Sequence, residues 1–200
     1  MNKYSFRFAA VKPRDEKKAE QIFKALPKLV AKNGLAGVTM SDIAKEAKIA
    51  TGTLYIYYKN KEELVNAVFT ECRQTSFAKY FEGFDESVPF KEGFKKVWMN
   101  IVSYRLQHFD EAVFMEQCHH SPFITQTTRQ LVSEQVKPLY GLMERGKSEL
   151  LIKEAETLML LMFMMASVNE VVKYIRYTGK KLTDDIIETS FGFCWDGIKA

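Results

Sequence analysis

The chain has 200 residues, 46% of them hydrophobic, and a formal net charge of +4, which is enough to bury a sizeable core as one large domain or two small ones. Its three cysteines, Cys72, Cys118 and Cys194, are few, odd in number and far apart, which argues against a disulfide framework or a paired CxxC metal site and for a reducing compartment. No secretory h-region precedes the N-terminal charges, and the longest apolar run, Leu158 to Ala166 (LMLLMFMMA), is too short by itself to span a bilayer. A cytoplasmic protein is expected, with no membrane partner.

The charge is unevenly placed. Up to Phe69 there are 13 Lys+Arg against 7 Asp+Glu, a balance of +6; the remainder carries 16 against 18, a balance of −2. A basic first part that meets a polyanion, joined to a near-neutral body, is one reading of this split; a solvated surface is the other.

Apolar residues recur at helical spacing almost throughout, and alternating strand-like runs are missing from the sequence, so an all-α fold is expected. From Asp15 the stripe Ala19, Ile22, Phe23, Leu26, Leu29 and Val30 forms a first helix that Asn33-Gly34 stops. Pro27 inside it predicts a kink. Thr39 with Asp42 three residues on reads as a capping box for a second helix. Thr51 is placed to cap a short third one with Leu54 and Tyr58 facing inward and Tyr55 and Tyr57 on the flanks. Asn60 with Glu63 caps a fourth, which links two modules: residues 1–60 and residues 61–200. Longer helices follow, one from Ser87-Pro89 with Phe90, Phe94, Val97, Trp98, Ile101 and Val102 inside, and one from Asp110. The next runs from Ser121-Pro122 through Phe123, Ile124, Leu131, Val132, Leu139 and Met143, bending at Pro138. Glu154 to Thr178, stopped by Gly179, is followed by a last helix capped by Thr183.

Two short helices around a tight turn, Thr39 to Ala47 and Thr51 to Tyr58, fit a helix-turn-helix whose second helix enters the DNA major groove. Thr51, Gly52 and Thr53 are small enough to let the backbone approach base edges. Tyr55, Tyr57, Lys59 and Lys61 around them form a phosphate clamp, with core packing the alternative for each tyrosine taken singly. No Arg, Asn or Gln lies on this helix, so specificity has to come from Thr contacts, DNA shape, or the tail residues Lys3, Arg7, Lys12 and Arg14.

The stretch VTMSDIAKEAKIATGTLYIYYKNKEEL, with the helix before it, resembles the TetR family of bacterial transcriptional regulators over roughly residues 15 to 65. The resemblance implies base reading by Thr51 and Ser41, close approach at Gly52 and Thr53, and phosphate contacts from Thr39, Tyr55, Tyr57 and Lys61. With Lys48 and Lys59 these make up the expected DNA-binding set. Two positions depart from the family pattern: Lys48 stands where a glycine is usual, and Tyr57 where histidine is frequent. A non-glycine residue in a left-handed turn costs about 1 kcal/mol.

The resemblance also implies a larger helical domain that binds an effector and dimerises, so that the whole is a ligand-responsive regulator, most often a repressor, on a palindromic double-stranded operator. The all-round apolar run LMLLMFMMA and the small residues Ser190, Gly192 and Gly197 of the last helix suit a homodimer seam, although a buried core helix gives the same pattern. The candidate lining for an apolar or aromatic effector is Trp98, Tyr104, Phe114, Cys118, His119, Met143, Met162 and Met165, with Phe81 and Phe84 in the same class and plain core as the alternative. In Cys118-His119-His120 only Glu116 and His120 have ligand spacing on one helix face, so no metal or other cofactor is expected. No nucleophile and base pair, HExxH or glycine-rich phosphate loop occurs, which argues against an enzyme. A helical sensor without DNA binding is the remaining alternative.

Overall fold

A computed structural model describes residues 16–119 and 121–200. Lys3, Arg7, Lys12, Arg14 and His120 lie outside the described residues. Among the described residues the fold is all-α, with nine helices: α1 Glu16–Gly37, α2 Met40–Glu46, α3 Thr51–Tyr57, α4 Lys61–Tyr80, α5 Phe90–Gln107, α6 Phe109–His119, α7 Gln126–Ser148, α8 Thr157–Thr178 and α9 Asp184–Ile198.

They form two compact units. The first, the head, holds the described residues up to Phe69 together with Asp110–Thr125; the second, the body, holds Thr70–Phe109 and Gln126–Ala200. The expected divide at residues 60 and 61 falls at the start of α4, whereas the head runs on inside that helix because Leu64, Val65, Val68 and Phe69 are buried. The head also takes in most of α6.

In the head, α1 buries Ala19, Ile22, Leu26 and Val30. Its non-helical dihedrals are at Gly34 (φ 74, ψ 155) and not at Pro27, which sits buried in helical backbone. The expected kink is therefore misplaced: a helix absorbs one missing N–H bond by gentle curvature, but the conformation at Gly34 is open only to glycine. The Thr39–Asp42 capping box forms as expected. Asn60 Oδ1 accepts from Glu63 N at 2.8 Å, and Glu63 reaches back to Lys59 N at 2.8 Å, so both residues serve the start of α4. Helix α7 begins at Gln126, five residues after the expected Ser121. Asn66 takes the intervening backbone groups, donating to Phe123 O at 2.7 Å and accepting from Thr125 N at 3.0 Å. Ser121 Oγ accepts from Phe123 N at 3.1 Å. Groups held this way are not open to a helical ladder.

In the body, α5 packs on α7, α8 and α9, and α8 also on α7 and α9. The stripe read from the sequence, Phe90 through Val102, is buried, and its aromatics meet α9: Trp98 lies edge-on to Phe191 at 5.7 Å and Phe94 is 6.1 Å from Trp195. Gly146 of α7 lies beneath the Phe90 ring, where a Cβ would come within 2.4 Å. Leu131, one of the apolar residues named on the expected helix, is exposed. Gly179 ends α8 at φ 67, and the Thr183 hydroxyl accepts from Ile186 N to start α9. Helix α8 is longer than its apolar run and, by length and composition alone, sufficient to cross a membrane. Leu160, Leu161, Met164, Val168, Val171, Val172 and Ile175 are instead buried in the body, which accounts for one side of its apolar surface. Leu158, Met159, Met162 and Phe163 remain exposed on it.

Candidate nucleic-acid interface

Helix α2 ends in a Schellman turn: Ile49 N donates to Ala44 O at 3.0 Å and Lys48 N to Lys45 O at 3.1 Å. The turn requires a left-handed residue just past the helix, and Lys48 takes it at φ 56. The turn that glycine usually makes is thus preserved with lysine at some backbone cost. The ammonium of Lys28 and the carboxylate of Glu46, 2.5 Å apart, tie α1 to α2. Each favours the other's charged form, so Lys28 is raised and Glu46 lowered from its ordinary pKa.

Helix α3 opens with Ala50 as its cap, so Thr51 is the first helical residue and its hydroxyl does not cap the helix as expected. Leu54 and Tyr58 anchor it, both buried. On the other side Thr51, Gly52, Tyr55 and Ile56 are exposed, Thr53 and Tyr57 half-buried. A Cβ at Gly52 would meet nothing within 4 Å, so the tip is open to a close-approaching surface. Ser41, Lys45, Lys48 and Lys59 are exposed as well. Ile56, 75% exposed, was absent from the expected set. The signal for it was present, since it lies 200° round the helix from Leu54.

Two expected contacts are otherwise engaged. The Thr39 hydroxyl donates to Asp42 Oδ2 at 2.6 Å and accepts from Asp42 N at 3.2 Å, which holds the Asp42 carboxyl below its ordinary pKa. The Lys61 ammonium donates to Leu35 O at 2.6 Å and Ala36 O at 3.4 Å and sits 4.9 Å over the Phe123 ring. It closes carbonyls in the last turn of α1, which have no partner within the helix, and does not project with the tip. Burial lowers its pKa. Gln117 of α6 completes the same end of α1: its Oε1 accepts from Leu35 N at 2.8 Å and its Nε2 donates to Val30 O at 3.4 Å.

The expected effector residues are divided between the two units. Phe114, Cys118 and His119 belong to the head; Trp98, Tyr104, Met143, Met162 and Met165 belong to the body. Trp98 is fully buried and donates through Nε1 to Ser167 Oγ at 3.0 Å. Tyr104 stacks on His108 at 4.3 Å, and Met143 is core. Met165 is half-buried and His119 exposed. Met162 is 55% exposed. Phe81 and Phe84, half-buried, meet edge to face at 5.4 Å. Burial pushes the Cys118 thiol up to about 12, so it is neither a nucleophile nor a ready metal ligand at neutral pH. A groove of about 290 Å³ in the head is lined by Gln21, Lys24, Ala25, Lys28, Glu46, Ala47 and Lys48, none of them in the expected effector set.

A capped helix, a Schellman turn and a short exposed helix, followed by an all-helical body, define the class of helix-turn-helix regulators. Residues 22–68 match the family described as bacterial regulatory proteins, tetR family, and residues 89–199 match the tetracyclin repressor-like C-terminal domain. The chain belongs to the TetR family. It is 42% identical over 83 residues to an HTH-type transcriptional regulator of Haemophilus influenzae, a match covering 42% of this chain and 44% of that protein. The chain thus spans less than half the length of this curated relative. Among solved structures, a TetR family transcription regulator from Marinobacter aquaeolei superposes with a TM-score of 0.84 at 25% identity, over 94% of this chain and 99% of that one. The transcriptional regulator FadR of Bacillus subtilis, solved in complex with stearoyl-CoA, shares the fold with a TM-score of 0.66 at 23% identity, over 89% and 96% of the two chains.

Proposed function

We propose that the protein is a ligand-responsive transcriptional repressor of the cytoplasm that binds a palindromic double-stranded operator as a homodimer. The observation that carries this reading is the open face of α3, where Thr51 and Gly52 stand exposed above the buried anchors Leu54 and Tyr58. Thr51 and Ser41 read bases, Gly52 and Thr53 permit close approach, and Ile56 packs on a thymine methyl or a sugar. Tyr55, Tyr57, Lys48 and Lys59 contact phosphates, and these fix register without reading sequence. Thr39 and Lys61 support the head from within, by capping α2 and closing α1. The family is one of transcription factors, which points away from enzymatic turnover.

The dimer seam in this reading is the exposed apolar side of α8 and α9: Met159, Met162, Phe163, Tyr177 and Phe193. A single reading helix buries little surface, and a two-fold dimer sets two of them on half-sites about 34–36 Å apart. The effector binds in the body and has an apolar or aromatic part; the stearoyl-CoA complex of the Bacillus subtilis neighbour is in keeping with that class. Chain connectivity offers a route for coupling, because α6 belongs to the head whereas α5 and α7, on either side of it in sequence, belong to the body. Gln117 then passes a shift of α6 to the end of α1. The effector has to bind the arrangement that fits DNA poorly more tightly than the one that fits well.

Duplex titration across a range of salt concentrations tests the reading. A DNA-binding head gives an affinity that falls steeply and log-linearly with salt; an affinity for duplex that is absent, or indifferent to salt, contradicts it.

A further inference from the structure

The body buries a charge that its own side chains do not balance. Arg105 of α5 is 6% exposed, and none of the other fully buried polar side chains among the described residues is acidic. Its Nη1 donates to Asn169 Oδ1 on α8, a neutral acceptor, and its Nε is buried with no hydrogen-bond partner. Nearby Tyr80 of α4 is 1% exposed, and its hydroxyl is likewise buried and unpartnered. The Tyr80 ring lies edge-on to that of Tyr104, the residue next to Arg105, with centroids 5.9 Å apart. Arg73, two turns back on α4, lies over the Phe77 ring at 4.8 Å. Its guanidinium is held below the ordinary value by burial first; Tyr80 acts to raise it and Arg105 to lower it, so the three groups share one electrostatic neighbourhood.

A buried guanidinium without an anion is strongly disfavoured, and unmet buried donors recur where a ligand completes the set. The planar fork of arginine matches a carboxylate or a phosphate in two parallel bonds, and a tyrosine hydroxyl adds a third donor. Tyr80 and Tyr104 belong to the apolar core of the body, which also holds Phe77, Trp98, Ile101, Val168 and Val172, and the Phe77 ring lies 5.1 Å from that of Tyr80. We infer that Arg105 and Tyr80 are the receiving end of an effector site in the body for an anionic amphiphile, a carboxylate or phosphate head on an apolar tail. This rests on the effector-responsive reading above and narrows it, because a neutral apolar ligand would leave the guanidinium unmatched.

The test is thermal denaturation of the full chain at constant ionic strength with decanoate, decyl phosphate, decanol or inorganic phosphate, each below its micellar concentration. The same samples are titrated with duplex DNA. Wild type is expected to be stabilised by decanoate or decyl phosphate at concentrations at least about tenfold lower than by decanol or inorganic phosphate. The better of the two anionic chains identifies the head group. Arg105→Met and Tyr80→Phe are each expected to weaken the anionic probe about tenfold while leaving decanol unchanged. Tyr80→Phe removes one hydroxyl only and keeps the test readable if Arg105→Met folds poorly. Equal shifts from decanoate, decyl phosphate and decanol, no shift from any of them, inorganic phosphate as effective as decyl phosphate, or undiminished shifts in both variants would overturn the site. Loss of the anion effect with duplex binding intact removes this site alone; absence of duplex binding with the anion effect intact removes the regulator reading and leaves the site standing.

Discussion

Gly52 is the residue at which fold and proposed function make opposite demands. Its Cβ position is empty, so Gly52→Ala creates no clash and, being helical, leaves stability unchanged or raises it by up to about 1 kcal/mol. The same methyl would stand between α3 and a base edge. Duplex affinity is therefore expected to fall at least about tenfold while the denaturation midpoint holds, as titration and urea unfolding would show together. Lysines divide in a similar way. Lys59 is exposed whereas Lys61 donates to the carbonyls of Leu35 and Ala36. Lys59→Ala is expected to flatten the log-log salt dependence of duplex binding by about one unit. Lys61→Ala is expected to leave that slope alone and to lower stability by about 1 kcal/mol. The tip was legible in the sequence because Leu54 and Tyr58, one helical turn apart, decide which side of α3 faces out. Lys61 was not, since the acceptors it reaches are last-turn carbonyls of α1, 26 and 25 residues earlier in the chain, and the fourth-helix motif around it carries no trace of them.

At the scale of elements, four of the caps written in local sequence formed where they were expected, Thr39 with Asp42, Asn60 with Glu63, Gly179 and Thr183, while the one expected of Thr51 fell to Ala50. The start of α7 was misread because Asn66, some sixty residues earlier in the chain, claims the backbone of Phe123 and Thr125. A periodicity argument does not see a partner that distant. The α2 cap has a pH consequence. The Asp42 carboxyl has a folded-state pKa below its unfolded value, owing to the Thr39 hydrogen bonds. Its stabilisation is therefore complete above the unfolded value and is lost as pH falls through the lower folded one, in the region below about 4. Asp42→Asn is expected to remove this part of the acid limb when head stability is followed against pH. Between α5 and α7, contact is closer than a methyl group permits, for a Cβ at Gly146 would meet the Phe90 ring at 2.4 Å. Gly146→Ala is expected to destabilise the body by roughly 1–3 kcal/mol in denaturant unfolding.

For the whole molecule, composition separated a basic first part from a near-neutral remainder, but the two compact units cut across that split, because Asp110–Thr125, with three acidic residues and no Lys or Arg, belongs to the head. Where the chain passes between them was less legible, because α6 returns to the head after the α4 junction, and contacts rather than composition decide it. An effector lining is the part that composition reads least well. Aromatic and Met content marks core and cavity alike, and it was a buried charge, Arg105, that carried information content alone did not. The exposed apolar strip on α8 and α9 makes oligomeric state a property to measure. Met162→Glu, at an exposed position, is expected to shift a dimer toward monomer in sedimentation velocity at micromolar concentration without altering the helical circular dichroism.

In the proposed function the open face of α3 reads DNA, in pairs. Selection of bound sequences from a random duplex pool measures this directly. A palindromic consensus with half-sites about one helical turn apart, degraded by Thr51→Ala, is the predicted result; a pool that shows no enrichment, or enriches a single site without symmetry, would contradict it.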